Sequence, residues 1–333
     1  MVPPLIALEE HYDSGVFSAQ DELHTNLPAH LHDHLHDLGH DRIEALDEGT
    51  VRIQVISHIG CPTPIDGCVA ANNRLATACK MSSKRFAAFA CLPMHDPTAA
   101  VHELERTVKD LGFVGALINN NADDGSFYDD EKYWPVFAKA VDLDVPVYIH
   151  PSYPVESSHY DGNFSPAAKM MMSASGWGWH SECGLHFLRL FASGLFDRYP
   201  TFKLIIGHMG EMVPYMLNRI AKTSRHWGKF QRDLNTVWRE NVWVTTSGLF
   251  TLPPFECLIK TTPLEHVMYG IALNLESRTS ADWLHRYSID YPFSTTQTGL
   301  AFVEKIEQSK LLSREQLEAF CHGNAEKLLR IKI

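Results

Sequence analysis

The chain lacks any cluster of basic residues. Its 29 lysine and arginine residues are spread along the sequence and are outnumbered by 40 aspartate and glutamate residues, which gives a formal net charge of −11. Proteins that bind nucleic acids or anionic membranes usually carry a basic patch. The sequence therefore predicts no nucleic-acid partner and no membrane partner, and it favours a small molecule as the ligand.

Long apolar runs and closely paired cysteines are also missing. No apolar run approaches the roughly 18 residues that span a bilayer, and acidic Glu9 and Glu10 follow the short N-terminal run where a signal peptide would continue. The seven cysteines are an odd number without a C-x-x-C pair, which argues against a disulfide framework or a structural zinc site. We therefore expect reduced thiols in a soluble, cytoplasmic protein.

Apolar runs typical of buried parallel strands alternate with segments of helical periodicity along the chain. With 333 residues and 45% hydrophobic content, the chain can bury a large core. This alternation predicts an α/β fold, a (β/α)8 TIM barrel that forms a single domain over residues 1–333. The predicted strands cover residues 5–10, 51–59, 86–92, 113–119, 145–150, 202–207, 242–247 and, as the eighth, either 267–269 or 287–290.

Helices and a polar segment complete the predicted architecture. The sequence Asp96-Pro97-Thr98 is a start signal for a helix over 99–111, and further helices are expected over 129–143 and 211–223. Residues 313–330 predict two short helices, broken at Gly323, that begin after a capping serine and pack outside the barrel. The histidine-rich segment 12–50 is predicted to be a polar excursion near the barrel mouth without a catalytic role.

Residues that can bind a divalent metal ion end four of the apolar runs. Glu9 and His11 follow the first run, His150 the fifth, His208 the sixth and Asp290 the last. Because the functional residues of parallel barrels lie where the strands end, we expect these side chains to meet at the barrel mouth. Alternation along an extended chain places Glu9 and His11 on one side and the glutamate between them on the other. The pattern predicts a metal centre, although any one of these residues alone could be structural.

Two further groups near these strand ends indicate chemistry. His208 and Glu211 could form a proton-handling pair in which the carboxylate fixes the imidazole tautomer, and a helix is expected to begin at Glu211. Asp290 lies in an apolar setting that favours a proton donor. Trp177 and Trp179, in the loop after the fifth strand, could wall a pocket for a planar ring, although core packing explains them equally well.

Eight short sequences follow one another in order over nearly the whole chain: ALEEH (7–11), RFAAF (85–89), LGFVGALIN (111–119), DVPVYIHP (144–151), SGLFD (193–197), GHMGE (207–211), TTSG (245–248) and DYPF (290–293). Together they resemble the amidohydrolase-related, metal-dependent decarboxylases, in particular the branch with γ-resorcylate, 2,3-dihydroxybenzoate and salicylate decarboxylases. The resemblance implies non-oxidative decarboxylation of an ortho-hydroxybenzoic acid to a phenol and carbon dioxide, with carboxylation of the phenol as the reverse reaction.

The resemblance also assigns roles to residues. The implied ligands of one divalent ion, which could be zinc, manganese or magnesium, are Glu9, His11, His150 and Asp290. Asp290 would protonate the ring carbon that bears the carboxylate, with His208 and Glu211 as the pair beside the ion. Arg219 matches a position near the substrate. The Asn-Asn-Asn sequence that begins at Asn119 departs from the family pattern, and Asn119 is expected to contact the substrate and to alter which ring substituents are recognised. A homodimer or homotetramer is implied as well.

One departure leaves alternatives open. Residues 270–287 intervene between two segments that are adjacent in the family, directly before Asp290. The insertion could leave Asp290 in place or misplace it and impair the site. A metal-dependent hydrolase of an amide or a lactone on the same barrel, and a binding protein without activity, are the rival hypotheses.

Overall fold

The computed structural model describes residues 2–16, 29–60, 64–152, 158–270 and 295–333. In these ranges eight parallel strands follow one another in chain order, each paired with the next. Leu8 N donates a hydrogen bond of 3.3 Å to Tyr269 O, and Leu8 also bridges Gly270 in parallel, which joins the last strand to the first. The predicted TIM barrel is confirmed. The strands are β1 (Leu5–Tyr12), β2 (Val51–His58), β3 (Phe86–Ala90), β4 (Gly115–Asn119), β5 (Val147–His150), β6 (Leu204–Ile206), β7 (Val242–Thr245) and β8 (Val267–Met268).

Helices lie between the strands and after the last one. None of the helices in the described ranges is long and apolar enough to cross a lipid bilayer. The helical elements are α1 (Ala29–His36), α2 (His40–Glu48), α3 (Ile65–Met81), α4 (Pro97–Lys109), α5 (Trp134–Leu143), α6 (Pro166–Ser173), α7 (Gly178–Ala192), α8 (Leu195–Arg198), α9 (His208–Glu211), which is a single turn with left-handed φ values rather than an α-helix, α10 (Val213–Ser224), α11 (Leu234–Asn241), α12 (Leu252–Thr261), α13 (Thr296–Ser309), α14 (Arg314–Glu318) and α15 (Asn324–Leu329).

A β-bulge in β1 determines which of its side chains enter the barrel. Ala7 pairs with Gln54 and Glu10 pairs with Ile56, so β1 has one more residue than β2 over this stretch. Glu9 lies in the bulge with a φ of 69°. Before the bulge, Leu8 packs with interior side chains of the other strands, and strict alternation would therefore turn Glu9 outward. The extra residue resets the alternation and directs Glu9 inward.

A buried arginine supports β1 from outside the barrel. Arg42, on α2, is fully buried and donates from Nη2 to His11 O at 2.7 Å and from Nη1 to Gln54 Oε1 at 3.1 Å. Gln54 Nε2 in turn donates to Glu10 Oε2 at 2.8 Å. Glu10 thus lies on the opposite side of β1 from Glu9, as alternation predicts. The network fixes the backbone that carries both Glu9 and His11.

The eighth strand is the first of the two predicted candidates. Val267–Met268 pairs with β7, and the residues directly after it contact β1. The rival candidate over 287–290 lies outside the described residues, as does the whole of 271–294, which includes Asp290. Whether the inserted segment changes the placement of Asp290 stays a prediction.

The C-terminal helices differ from their prediction. Ser313 caps α14 in a capping box with Gln316, but the chain then continues through a π turn, in which Gly323 keeps a helical φ of −59°, into α15. The predicted break at Gly323 is wrong, because a glycine can also adopt the helical conformation when neighbouring turns pack well. Ala325 and Leu328 pack against the interior cluster of the barrel rather than against its outer wall alone.

The prediction of reduced thiols is wrong at one position. Cys91 is disulfide-bonded. An odd cysteine count excludes the pairing of every cysteine, but it still allows a single disulfide, so the count alone did not justify the prediction. The free cysteines among the described residues are Cys68, Cys79, Cys183, Cys257 and Cys321.

The start of α4 offers a test of the fold. The Asp96 side chain accepts hydrogen bonds from the backbone nitrogens of Thr98 and Ala99, each at 3.0 Å, which is the predicted cap. We expect Asp96→Ala to lower the free energy of unfolding by about 1 kcal/mol. Urea unfolding measures the change, and Asp96→Asn, which retains a capping oxygen, should unfold like the wild type. An equal loss in both variants would contradict the capping role.

Candidate metal centre

The carboxylate of Glu9 lies fully buried inside the barrel mouth. Its Oε2 atom accepts a short hydrogen bond from Tyr148 Oη and a second one, of 3.0 Å, from Thr245 Oγ1. Tyr148 and Thr245 also contact each other at 2.8 Å. Two hydroxyl groups on two different strands therefore hold one oxygen of Glu9, and the orientation of the other oxygen is fixed.

The second oxygen of Glu9 faces two imidazole rings. His150 Nε2 lies 3.6 Å and His208 Nε2 lies 3.5 Å from Glu9 Oε1. His11 packs edge to face against His150, with ring centroids 4.7 Å apart, and its Nδ1 lies 3.3 Å from Ser57 Oγ. The three predicted ligands in the described part of the chain, from β1 and β5, are thus brought together.

Two groups of possible metal ligands meet in the mouth. Two ligands that each bind one ion at about 2.1 Å are separated by roughly 3 to 4 Å, and the distances from Glu9 Oε1 to His150 Nε2, 3.6 Å, and to His208 Nε2, 3.5 Å, both fall in this range. Ligand atoms of His180, His208 and Glu211 lie within 4.8 Å of one another, but the contacts of 2.7 and 2.8 Å among them are hydrogen-bond distances. The resemblance, rather than distance, separates His150 from His208, because it assigns Glu9, His11 and His150 to the ion and pairs His208 with Glu211. On that ground we take Glu9, His11 and His150 as the candidate ligands, a mixed oxygen and nitrogen set that suits manganese or zinc.

The backbone after β6 is a left-handed turn. The five consecutive residues His208–Met212 all have positive φ values, between 48° and 87°. This conformation costs roughly 1–2 kcal/mol for each residue other than glycine. The predicted helix start at Glu211 is therefore wrong, since α10 begins only at Val213. Strain of this kind persists where the surrounding structure enforces it and is typical of functional sites.

The left-handed turn presents a hydrogen-bonded triad to the mouth. Glu211 is buried, and its two oxygens accept hydrogen bonds from His208 Nδ1 at 2.8 Å and from His180 Nδ1 at 2.7 Å. Burial raises the pKa of Glu211, but the charges and hydrogen bonds of His208 and His180 outweigh it and lower this pKa to about 2. The predicted contact between His208 and Glu211 is present, and His180 is an additional member.

Gly207 allows Glu9 and Tyr148 to approach β6. A Cβ atom at this position would lie 2.9 Å from both carboxylate oxygens of Glu9 and from Tyr148 Oη. Glycine is therefore required at position 207 because a side chain would collide with Glu9 and Tyr148. At position 210 glycine is favoured for another reason, since its φ of 87° is a backbone conformation that other residues rarely adopt.

The predicted substrate contacts are spread over the surface of the site. Asn119, at the end of β4, lines a small, shallow cleft together with Leu92, Met94 and Tyr128. Trp179 is buried. Trp177 is exposed over 54% of its surface, and Arg219 is exposed on α10. Within the described part of the chain, the side chain of Arg219 makes no hydrogen bond or ion pair to the mouth, so its role in substrate binding stays a prediction.

Three contributors to the site were missed in the sequence. Tyr148 lies two residues before His150 on the same strand, so alternation could have placed it beside the metal ligands. Thr245 follows the seventh apolar run in the same way that His150 follows the fifth. His180 directly follows Trp179. It contacts Glu211 only because the left-handed turn places Glu211 beside it, and no sequence pattern predicts that turn.

The chain is similar to known proteins over most of its length. The Amidohydrolase family model matches residues 64–331. Decarboxylase orsB of Emericella nidulans is 43% identical over 345 aligned residues, which cover 99% of this chain and 98% of that protein. Gamma-resorcylate decarboxylase of Rhodococcus jostii is 33% identical over 320 residues, which cover 85% of this chain and 92% of that protein.

A solved structure is similar over the full length. The dihydroxybenzoic acid decarboxylase of Polaromonas sp. JS666, determined with bound manganese and the inhibitor 2-nitroresorcinol, has a TM-score of 0.83 at 30% identity. The match covers 99% of this chain and 97% of that chain.

The ionised state of Glu211 predicts how stability depends on pH. Since the folded pKa near 2 is below the ordinary 4.5, the carboxylate stabilises the fold fully above about pH 4.5 and loses this contribution as the pH falls toward 2. We expect the free energy of urea unfolding to fall more steeply with acid in the wild type than in Glu211→Gln. The exposed Glu315→Gln variant is the control and should keep the wild-type slope. Identical slopes in all three proteins would contradict the triad.

Proposed function

The chain belongs to the amidohydrolase family, and we propose that it is a metal-dependent decarboxylase that converts an ortho-hydroxybenzoic acid into the corresponding phenol and carbon dioxide. The reverse carboxylation of a phenol follows from microscopic reversibility. The proposed substrates are acids of the dihydroxybenzoate or salicylate class.

The observation that carries the proposal is the buried carboxylate of Glu9. A carboxylate without water is costly unless hydrogen bonds and positive charge compensate it. Tyr148 and Thr245 satisfy Oε2, while Oε1 is directed at the imidazoles of His150 and His208. This arrangement fits one divalent cation, and the related Polaromonas enzyme was solved with manganese.

We propose that Glu9, His11, His150 and Asp290 hold this cation. Zinc, manganese and magnesium all accept oxygen ligands, and the histidines favour manganese or zinc among them. When bound, the divalent ion supplies Lewis-acid polarisation and a template for the carboxylate and the neighbouring hydroxyl of the substrate. Asp290 lies outside the described residues, and its place in this set rests on the DYPF sequence.

The residues of the chain perform the proton transfer. Asp290, in its protonated form, gives its proton to the ring carbon that bears the carboxylate, so that a C–H bond forms there. The bond from that carbon to the carboxylate then breaks, its electron pair returns to the ring and restores aromaticity, and carbon dioxide leaves. His208, held by Glu211 at 2.8 Å, directs Nε2 into the mouth, where it is placed to exchange a proton with the substrate hydroxyl.

Substrate recognition is proposed for residues around the mouth. Asn119 lines the cleft beside β4 and is placed to contact a ring substituent. Trp177 and Trp179 supply aromatic surface in the segment that precedes His180. Arg219, exposed on α10, is proposed as a substrate contact on the ground of the resemblance alone. The oligomeric state and the cytoplasmic location stay predictions.

Conversion of a panel of acids tests the proposal. The protein is loaded separately with zinc, manganese or magnesium and incubated with γ-resorcylate, 2,3-dihydroxybenzoate or salicylate, and the products are separated by chromatography. We expect one acid to yield its phenol and carbon dioxide. Removal of the metal by a chelator should abolish the conversion, and Asp290→Asn should lower turnover by at least about 100-fold.

The same experiment separates the rival hypotheses. Hydrolysis of an amide or lactone would release two fragments, whereas decarboxylation releases one phenol and carbon dioxide. Metal-loaded protein that binds the acids but converts none of them would contradict the decarboxylase proposal and favour an impaired site.

Tyr148→Phe tests how the centre is held. The variant removes only the hydroxyl that donates to Glu9 Oε2, and the loss of a hydrogen bond to a metal ligand typically lowers metal affinity about 10–100-fold. We expect a loss in this range, measured by competition with a chromogenic chelator. Tyr199→Phe, at a tyrosine that packs against Trp134 far from Glu9, is the matched control. Unchanged manganese affinity in Tyr148→Phe would contradict the proposal that the Tyr148 hydroxyl orients Glu9 as a metal ligand.

A further inference from the structure

His180 contacts the centre through Glu211 rather than directly. It lies in the first turn of α7, and its side chain is exposed over 17% of its surface. Its Nδ1 lies 2.7 Å from Glu211 Oε2 and its Nε2 lies 2.9 Å from Ser175 O. The ring therefore connects the segment that carries Trp177 and Trp179 to the left-handed turn after β6.

Both nitrogens of this ring face atoms that accept hydrogen bonds. The carbonyl of Ser175 has no hydrogen to donate, and Glu211 has none when it is ionised. Both His180 nitrogens must then carry hydrogen for the two contacts to form, which makes the ring a cation in this geometry. A cationic His180 beside an anionic Glu211 also explains how a carboxylate with almost no exposure to water stays ionised.

This pairing controls His208. Because His180 occupies Oε2 of Glu211, only Oε1 remains for His208 Nδ1, which donates to it at 2.8 Å. The hydrogen of His208 is thereby held on Nδ1, and its Nε2 is directed at Glu9 Oε1, 3.5 Å away. Without His180, the buried carboxylate would lack its counter-charge and could turn away from His208.

We propose that His180 is a positioning residue of the proposed decarboxylase: its doubly protonated ring clamps Glu211 and thereby fixes the tautomer and direction of His208. The inference rests on the proposed function for its kinetic consequence, whereas the protonation state of the ring can be measured without any activity. It assigns to this histidine a role in turnover rather than in metal binding.

The experiment compares His180→Phe and His180→Gln with the wild type and with the control His102→Gln, a histidine exposed on α4. For each protein we measure kcat and KM with the acid and metal that the wild type uses, the bound metal per chain, and Tm. We expect kcat of His180→Phe to fall at least about 10-fold. His180→Gln, whose amide can still donate to Glu211, should recover part of this loss. Metal content and KM should change little, whereas Tm of His180→Phe should fall, because the buried Glu211 carboxylate loses a counter-charge.

A spectroscopic measurement makes the test independent of turnover. In 15N-histidine-labelled, metal-free protein near neutral pH, we expect one imidazole with hydrogen on both nitrogens that is absent from His180→Gln. Wild-type kcat in both His180 variants, loss of metal in parallel with activity, or absence of the doubly protonated ring would each overturn the inference. If the wild type converts no acid, the proposed function fails, but the spectrum still decides the state of His180.

Discussion

The buried carboxylate of Glu9 is the constraint on which the site depends. One of its oxygens is held by Tyr148 and Thr245, and the other faces His150 and His208. A carboxylate in this position is unfavourable unless hydrogen bonds and a cation compensate its charge. The protein supplies the hydrogen bonds itself, and a divalent ion would supply the charge. The proposed binding of a divalent ion therefore follows from how the charge and the hydrogen-bonding capacity of the Glu9 carboxylate are compensated.

Four features of the fold place this side chain and its partners. The bulge in β1 turns Glu9 into the barrel, and the network around Arg42 fixes the same strand from outside. Gly207 leaves the space that the Glu9 carboxylate and Tyr148 occupy. The left-handed turn over His208–Met212 costs backbone energy but brings His208 to within 3.5 Å of the same carboxylate and holds Glu211 against His208. Strained backbone at the left-handed turn and the geometry of the barrel strands thus both determine the surroundings of the Glu9 carboxylate.

The sequence predicted the barrel and the strand ends because parallel strands buried on both faces leave continuous apolar runs, each followed by a polar residue at the mouth. It therefore located Glu9, His11, His150 and His208. It could not reveal the bulge at Glu9 or the left-handed turn, because both are imposed by tertiary contacts on residues that are not glycine. His180 was missed for the same reason: its partner Glu211 was expected on a helix. The role of Asp290 stays a prediction.

The measurement that tests this account most directly is anomalous X-ray diffraction from crystals grown with manganese. We predict one strong anomalous peak within about 2.0–2.3 Å of Glu9 Oε1 and of the imidazole nitrogens of His11 and His150, with the contacts of Glu211 to His180 and His208 intact. A peak among His180, His208 and Glu211, with no density at Glu9, would contradict the assignment of the metal centre and with it the mechanism built on Glu9.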